Sequence, residues 1–391
     1  MNIINDTVPG NSSIFEKIVG RLLRPFYKKI NALSNGFTSL DKRCLVYMKT
    51  TPFYRKGNQH SNMWETRQIV YILNKMGYLV DMVSPEVDNY LPKDIYDLFI
   101  GYGSGNSGKY FYKYSMSLTK AKKILYASGP EPTLSNRLVR ERYDQFNERS
   151  NLEAPYIRVS NIDFKKFISV ADCIFCIGEK NGFSFDSYLK HKLPIYPILP
   201  SYISESDPNI VRKKNHKHYL CFAGSGLICK GVDILIEAFK NMPDYHLHIC
   251  GPSEEALNSY YADLFKTSKN IRFYGFVDIE GSQYKELINK CSFTILHSAA
   301  EGCVTSIVEN MSRGLVPIVN YECGISINGF GYLISNNKNK VQAIKEAILE
   351  TSSISKNEYE RKVNLTIKAS KKYSKQMFTK YFETALQEVM K

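Results

Sequence analysis

The sequence predicts an α/β protein built of two doubly wound, Rossmann-like domains that face each other across a cleft. Two series of short apolar runs alternate with amphipathic segments, and such alternation makes a parallel sheet with helices on both faces. A polar stretch without periodicity, ISESDPNIVRKKNHK at 203–217, separates the two series as an interdomain linker. The chain has 391 residues and 43% hydrophobic content, enough for two domains with real cores.

Before the first series, residues 1–40 carry a basic amphipathic segment. In NSSIFEKIVGRLLRPFYKKINALS, 11–34, apolar residues recur with helical spacing. Lys17, Arg21, Arg24, Lys28 and Lys29 stand against Glu16 alone, and Pro25 kinks the helix. Two readings remain open: a helix packed on its own protein, or a helix lying in an anionic membrane interface.

The first domain, 41–202, opens with the strand RCLVYMK, a polar loop containing His60, and a helix over 62–77. YLVDMVS and DLFIGYG are the next strands, and a tyrosine-rich helix covers 109–122. KKILYAS is a strand that runs into the turn GPEP. ADCIFCIG, a helix over 184–191 and LPIYPIL complete the series.

The second domain, 218–365, repeats the pattern. HYLCFAGSG is a strand and turn, KGVDILIEAFKNM a helix, YHLHICGP a strand and turn, and EEALNSYYADLFKTS a helix. NIRFYGFVD, SQYKELINKC and FTILHSA follow as strand, helix and strand. Next comes the most informative unit, SFTILHSAAEGCVTSIVENMSRGLVPIV, which reads as strand, turn, helix and strand. GYLIS and a helix over 338–351 close the domain. Residues 366–391 are a lysine-rich helix expected to pack back toward the first domain.

Net charge is +14, which favours anionic partners such as nucleotides or lipid headgroups. Zinc spacing, aromatic RNA-binding signatures and basic low-complexity tails are missing, so no nucleic-acid partner is expected. Nine cysteines, an odd number mostly in apolar runs, suit a reducing compartment. Cys173 and Cys176 form C-x-x-C on a strand, where positions three apart point to opposite faces; this argues against a redox or metal role. With neither a signal peptide nor a run of about 20 apolar residues, the expected location is cytoplasmic, with the inner face of the cell membrane as an option.

Ligands of open parallel sheets bind beyond the carboxyl ends of the strands. In the second domain those turns are 224–231, 250–254, 275–278 and 297–305, each with glycine or small residues. Lys230 stands at a helix start, as a point charge suited to a diphosphate. Glu301 sits in the turn of the informative unit and Glu309 on its helix. The first helical turn offers unpaired N–H groups and the positive end of the dipole, where phosphates bind. Gly302 permits close backbone approach, and Thr305 and Ser306 add hydroxyls.

FAGSGLICKGVDILIEAF, LHICGP, NIRFYGFVD and HSAAEGCVTSIVENMSRGLVPIVN occur in the order and approximate spacing of a known family. From Phe222 to Asn320 the chain resembles the donor domain of GT-B glycosyltransferases, most closely glycosyltransferase family 4 (group 1). The first half matches in architecture only. The resemblance implies that Glu309 binds ribose hydroxyls, that Glu301 lies near the transferred sugar, and that Lys230 contacts the diphosphate. It places the backbone of Gly302, Cys303, Val304 and Thr305, with the turn Gly224, Ser225 and Gly226, around the diphosphate or sugar. Phe276 and Val277 would border the base, and His60 would face phosphate or acceptor.

Members of the family usually carry an arginine near Ser225, paired with the lysine; this turn has Ser225 and Gly226. Many also have a histidine where this chain has Gly129, Pro130 and Glu131. Glu131 is then the candidate base toward the acceptor hydroxyl; the alternative at this place is that Arg137, Arg140 and Arg142 meet a phosphorylated acceptor. D-x-D is missing, which fits a metal-independent reaction with no metal site. The implied activity is retaining transfer of a sugar from a UDP- or GDP-linked donor, with no further cofactor. The acceptor would be a glycan or lipid-linked molecule in bacterial-type surface polysaccharide synthesis by a peripheral membrane enzyme. The alternative is a non-catalytic GT-B relative serving as a binding or scaffold subunit.

Overall fold

The computed structural model describes residues 28–54, 60–88, 90–92, 94–103, 108–203, 216–336 and 339–391. In the first domain the elements run β1 (Lys29–Leu33), β2 (Lys42–Tyr47), α1 (Ser61–Lys75), β3 (Tyr78–Val83), β4 (Leu98–Tyr102) and α2 (Phe111–Ser117). They continue with β5 (Lys122–Ala127), α3 (Pro132–Ser150), α4 (Phe164–Ile168), β6 (Cys173–Ile177), α5 (Phe183–Tyr188) and β7 (Ile195–Ile198). The second domain begins β8 (His218–Phe222), α6 (Val232–Phe239), β9 (His246–Cys250), α7 (Glu255–Tyr260), α8 (Ala262–Thr267) and β10 (Ile271–Phe273). It continues with α9 (Ser282–Lys290), β11 (Phe293–Leu296), α10 (Thr305–Ser312), β12 (Val316–Val319), β13 (Tyr332–Leu333), α11 (Lys340–Ser352), α12 (Lys356–Ser370) and α13 (Lys375–Val389).

The strands form two sheets, ordered β1-β3-β2-β4-β5-β6-β7 and β10-β9-β8-β11-β12-β13. All pairings are parallel except β1 with β3. The chain order reverses between β2 and β4 in the first sheet and between β8 and β11 in the second. At such switch points the following loops diverge and leave a crevice at the carboxyl edge. The two-domain α/β architecture is therefore the one the alternating pattern implies. The buried strands explain the cysteines: Cys173 packs in the larger core and Cys176 in the core on the other face of the sheet.

One expectation is corrected at the N-terminus. The helix read over 11–34 does not reach its C-terminal end, because Lys29–Leu33 pairs antiparallel with β3 as an edge strand. Alternation in KINAL suits an edge strand as well as a helix, and the free edge of β3 decides. Residues 11–27, and residues 204–215 of the linker, lie outside the described residues. No described helix is long and apolar enough to cross a membrane.

Two elements tie the domains together. α13 lies on the first domain through Trp64–Phe378 and Phe175–Phe382 ring contacts at 5.9 and 5.4 Å. α3 reaches the other way, into the second domain. Tyr143 donates to Glu254 at 2.7 Å, and Arg142 donates to the His297 carbonyl at 3.1 Å. Arg149 Nη2 meets Asp233 Oδ2 at 2.5 Å. Arg149→Ala would strand Asp233 as a buried carboxylate. We expect the unfolding free energy to fall by about 2–4 kcal/mol, below the cost at a fully buried pair since Arg149 is 28% exposed. Urea denaturation measures this; a midpoint equal to wild type would refute it.

Candidate functional site

A cleft of about 960 Å³ lies between the carboxyl edges of the two sheets. Met48 and Lys49 after β2, Tyr102 at the end of β4 and Ser128 after β5 form its first-domain wall. Gly224 and Ser225 after β8, Phe276 after β10 and Glu301 after β11 form the other. Both switch points thus open into one cavity.

Its electrostatic centre is Glu301, which is 8% exposed. Lys230 Nζ donates to Glu301 Oε1 at 2.6 Å, and Ser298 Oγ donates to the same oxygen at 3.1 Å. Arg158 closes a fork on the carboxylate, with Nη1 at 2.5 Å from Oε1 and Nη2 at 3.3 Å from Oε2. Burial alone would raise this carboxyl, but Arg158 and then Lys230 outweigh it and hold it well below the usual range. Glu301 is therefore ionised and acts as an acceptor only.

Lys230 is placed by a tight loop. Its N–H bonds the Gly226 carbonyl at 3.0 Å, and Gly231 then turns the chain into α6 with φ +73°. A Cβ on Gly231 would lie 2.2 Å from the His297 carbonyl oxygen and 2.6 Å from Arg142 Nη1, so only glycine fits. The loop is also held from the N-cap of α7, Glu254, which accepts from the Ile228 N–H at 3.1 Å.

α10 starts at Thr305 beside Glu301, so the N–H groups of Thr305 and Ser306 lie in a first turn with no helical partner. About one turn on, Glu309 is 5% exposed and borders the cleft. Its Oε2 accepts from the Ile203 N–H at 2.7 Å, and Arg313 Nε lies 3.7 Å from Oε1. Phe276 is 74% exposed against the same wall, an aromatic face without cover, while Val277 beneath it is buried.

Of the residues singled out from sequence, Lys230, His60, Glu301, Glu309, Cys303, Val304, Thr305, Gly224, Ser225, Phe276 and Val277 border the cleft. Three are placed otherwise. Glu131 is buried as the N-cap of α3: its Oε2 accepts from the Leu134 N–H at 2.9 Å and pairs with Lys190 at 3.2 Å. It is a capping carboxylate, not a base facing the acceptor. Gly302 approaches the other domain, not a ligand: a Cβ there would lie 2.9 Å from the Ser128 carbonyl oxygen and 3.0 Å from that of Ile177. Gly226 lies under Arg158, whose Cδ would be 3.0 Å from a Cβ at that position. The arginines after Glu131 are also engaged elsewhere. Arg137 pairs with Glu141 at 3.0 Å, Arg140 covers the Tyr156 ring, and Arg142 is buried on His297. His60 caps α1, its Nδ1 accepting from the Asn62 N–H at 3.3 Å.

Sequence reasoning missed Arg158 and Glu65. Arg158 stands in APYIRVS, a stretch without motif, far from Glu301 in the chain. Glu65 is buried on α1, and its Oε1 accepts from the Ser201 N–H and O–H at 2.7 and 3.1 Å. Burial pushes its carboxyl up to about 7. A carboxyl raised in this way stabilises the fold while protonated, and that contribution is lost as pH rises from about 4.5 through about 7. Glu65→Gln keeps the acceptor and removes the ionisation. We expect it to exceed wild type in stability by about 1–3 kcal/mol at pH ~8, with a flatter pH dependence. Denaturation midpoints at pH ~5 and ~8 test this; parallel curves for the two proteins would contradict it.

Among the described residues no cluster of three or more His, Cys, Asp or Glu is placed to hold a metal ion. Comparison with known proteins gives the site its context. Residues 204–372 match the family described as Glycosyl transferases group 1. None of the curated proteins matches the chain. The structure is similar to sucrose-phosphate synthase from Thermosynechococcus elongatus, with TM-score 0.63 and 12% identity over 89% of this chain and 98% of that one. It is also similar to Anabaena HepE in complex with UDP and glucose, with TM-score 0.56 and 12% identity over 89% and 99%. The pneumococcal O-GlcNAc transferase GtfA, in complex with UDP and GlcNAc, aligns with TM-score 0.52 and 16% identity over 76% of this chain. The chain spans 58% of the length of that transferase. At these identities the likenesses establish the fold, two Rossmann-like domains in the GT-B arrangement.

Proposed function

From a chain that carries a glycosyltransferase group 1 domain on a GT-B fold, we propose sugar transfer from a nucleotide diphosphate sugar to a glycan or lipid-linked acceptor. The observation that carries this reading is the convergence of Lys230, Glu301 and the first turn of α10 on one wall of the cleft. Glu309 stands one turn further on, and the exposed Phe276 ring borders the same cleft. A nucleotide needs an aromatic face for its base, a carboxylate for its ribose hydroxyls, and cations with N–H groups for its diphosphate. The cleft lining holds all of these. The structure of HepE with UDP and glucose supports a uridine donor, with GDP-linked sugars the other option.

Departure of the nucleotide diphosphate breaks the bond between the anomeric carbon and a phosphate oxygen, and that oxygen gains negative charge. Lys230, whose ammonium has donors left beyond the one on Glu301, and the Thr305 and Ser306 N–H groups stabilise this charge from backbone positions that the loop and helix already fix. The ionised Glu301 accepts hydrogen bonds from hydroxyls of the transferred sugar and orients it. In the retaining course, the acceptor oxygen approaches on the face the diphosphate leaves, and its proton passes to the departing phosphate oxygen. The protein's own cations perform the charge neutralisation, in keeping with a metal-independent reaction.

Thermal unfolding against a panel of UDP- and GDP-sugars, followed by an assay of donor hydrolysis and transfer, tests the proposal. A cognate donor raises the midpoint, because it binds only the folded state. Absence of any shift across the panel, together with absence of turnover, would overturn it. A second reading has one observation in its favour: Gly129 and Pro130 place no titratable side chain in the cleft, and Glu131 is turned into its helix cap. On that reading the protein binds donor without transferring it, so a midpoint shift without turnover would select the binding role.

A further inference from the structure

Arg158 belongs to the first domain by sequence and to the donor wall by contact. It borders the cleft beside Ser225, Lys230 and Glu301, and its stem lies against Gly226. That is the turn in which the sequence lacks an arginine. The resemblance placed a second cation near Ser225; the fold puts one there from the opposite domain.

The placement is built, not incidental. Arg158 has φ +71°, a conformation that a side chain as large as arginine seldom adopts and that surrounding structure must hold. Two anchors flank it. Asn136 on α3 exchanges a pair of hydrogen bonds with the Ser160 backbone, at 2.8 and 2.6 Å. Asn147, on the same helix, accepts from the Ala154 N–H at 2.9 Å. α3 in turn grips the loop that carries Lys230, through Tyr143 on Glu254 and Arg142 on His297. The helix that positions Arg158 thus also positions the donor loop, and the two cations keep a fixed relation.

Both cations converge on one carboxylate. Lys230 Nζ and Arg158 Nη1 both bond Glu301 Oε1. Two positive groups on one negative group leave a net positive charge at the start of α10. A guanidinium fork matches two phosphate oxygens as well as it matches a carboxylate. We propose that Arg158 is a donor-binding residue: its guanidinium leaves Glu301 for the diphosphate when the nucleotide enters. The diphosphate site is therefore complete only when the two domains are together. Glu301 acts as the internal stand-in for the diphosphate, and its release frees the carboxylate for the sugar.

This inference rests on the donor reading above. The test uses the full chain with UDP as probe, GDP and ADP in parallel, and the matching nucleosides as controls without phosphate. Affinities are read by calorimetry, and by competition for the nucleosides. Arg158→Ala is expected to weaken nucleoside diphosphate binding by about 10- to 100-fold, the worth of a charge-assisted contact. Nucleoside affinity stays unchanged, and Arg158→Lys recovers part of the loss. Glu301→Gln, which removes the competing carboxylate, is expected to act in the opposite direction and tighten UDP by a few fold, about 3 to 10. The wild-type advantage over Arg158→Ala shrinks as salt is raised.

Equal loss for nucleoside and nucleoside diphosphate would show that Arg158 only holds the fold, and would overturn the inference. So would an Arg158→Ala protein that binds UDP as wild type does. If the wild-type protein binds none of the nucleoside diphosphates, the donor reading itself falls, a result distinct from the other two.

Discussion

Lys230→Ala is expected to lower kcat for the proposed sugar transfer by about 10²- to 10³-fold, the cost of removing one donor that faces developing charge. The effect is large because Lys230 is only 7% exposed and works where water is scarce. The loop bond to Gly226 and the Gly231 turn hold its backbone before substrate arrives. The loss falls on kcat more than on KM if the contact strengthens as the diphosphate leaves. Removing Lys230 also leaves Glu301 paired with Arg158 and Ser298, so the variant should fold, and circular dichroism with a denaturation curve checks that it does. A folded Lys230→Ala protein with wild-type kcat would remove this residue from the mechanism. Lys230→Arg is expected to rescue little, because the Nζ position lies 2.6 Å from Glu301 and leaves no room for a longer head group.

Glu309→Ala raises the Kd for the nucleoside diphosphate by about 100-fold, the worth of two hydrogen bonds to a charged acceptor less what water recovers. The sharper reading compares sugars of the nucleotide. Wild type should prefer UDP over its 2′-deoxy analogue, and Glu309→Ala should bind the two alike. A structural role for Glu309 exists as well, since its Oε2 holds the Ile203 N–H at the crossover between domains. Loss of that bond would weaken both nucleotides equally and leave the preference intact. A retained preference in the variant would therefore move the ribose contact elsewhere.

Both predictions concern residues found from the sequence, as was Glu301, while the arginine that shares Glu301 with Lys230 was not. The turn-to-helix unit around Glu301 and Glu309 was legible because its signals are local: an apolar strand, a small-residue turn, and a helix closed by Gly314. Lys230 was legible for the same reason, at the start of the helix after the first glycine-containing turn of its domain. Arg158 was not. It lies 143 positions from Glu301, and nothing in APYIRVS marks it. Glu131 was misplaced because a carboxylate before Pro132 reads equally as a helix cap and as a base at a strand end. The cap won once α3 began at Pro132 and offered the Leu134 N–H. Gly302 showed the same ambiguity: small size permits close approach, and the fold used it for the backbone of the other domain.

What the sequence by itself determined is the alternation of strands and helices, the opposite faces of Cys173 and Cys176, and the cleft-side turns of the second domain with their glutamates and lysine. Each follows from periodicity or from backbone geometry within a few residues, and so survives without knowledge of neighbours. The tertiary structure alone decided that β1 is an edge strand, that Glu65 and Glu301 meet opposite electrostatic fates, and that an arginine of one domain pairs with a carboxylate of the other. These depend on burial and on Coulomb interactions between groups remote in the chain. Burial raises both carboxyls, but only Glu301 has Arg158 and Lys230 against it, and the larger part of that difference, from Arg158, exists only once the two domains are packed together.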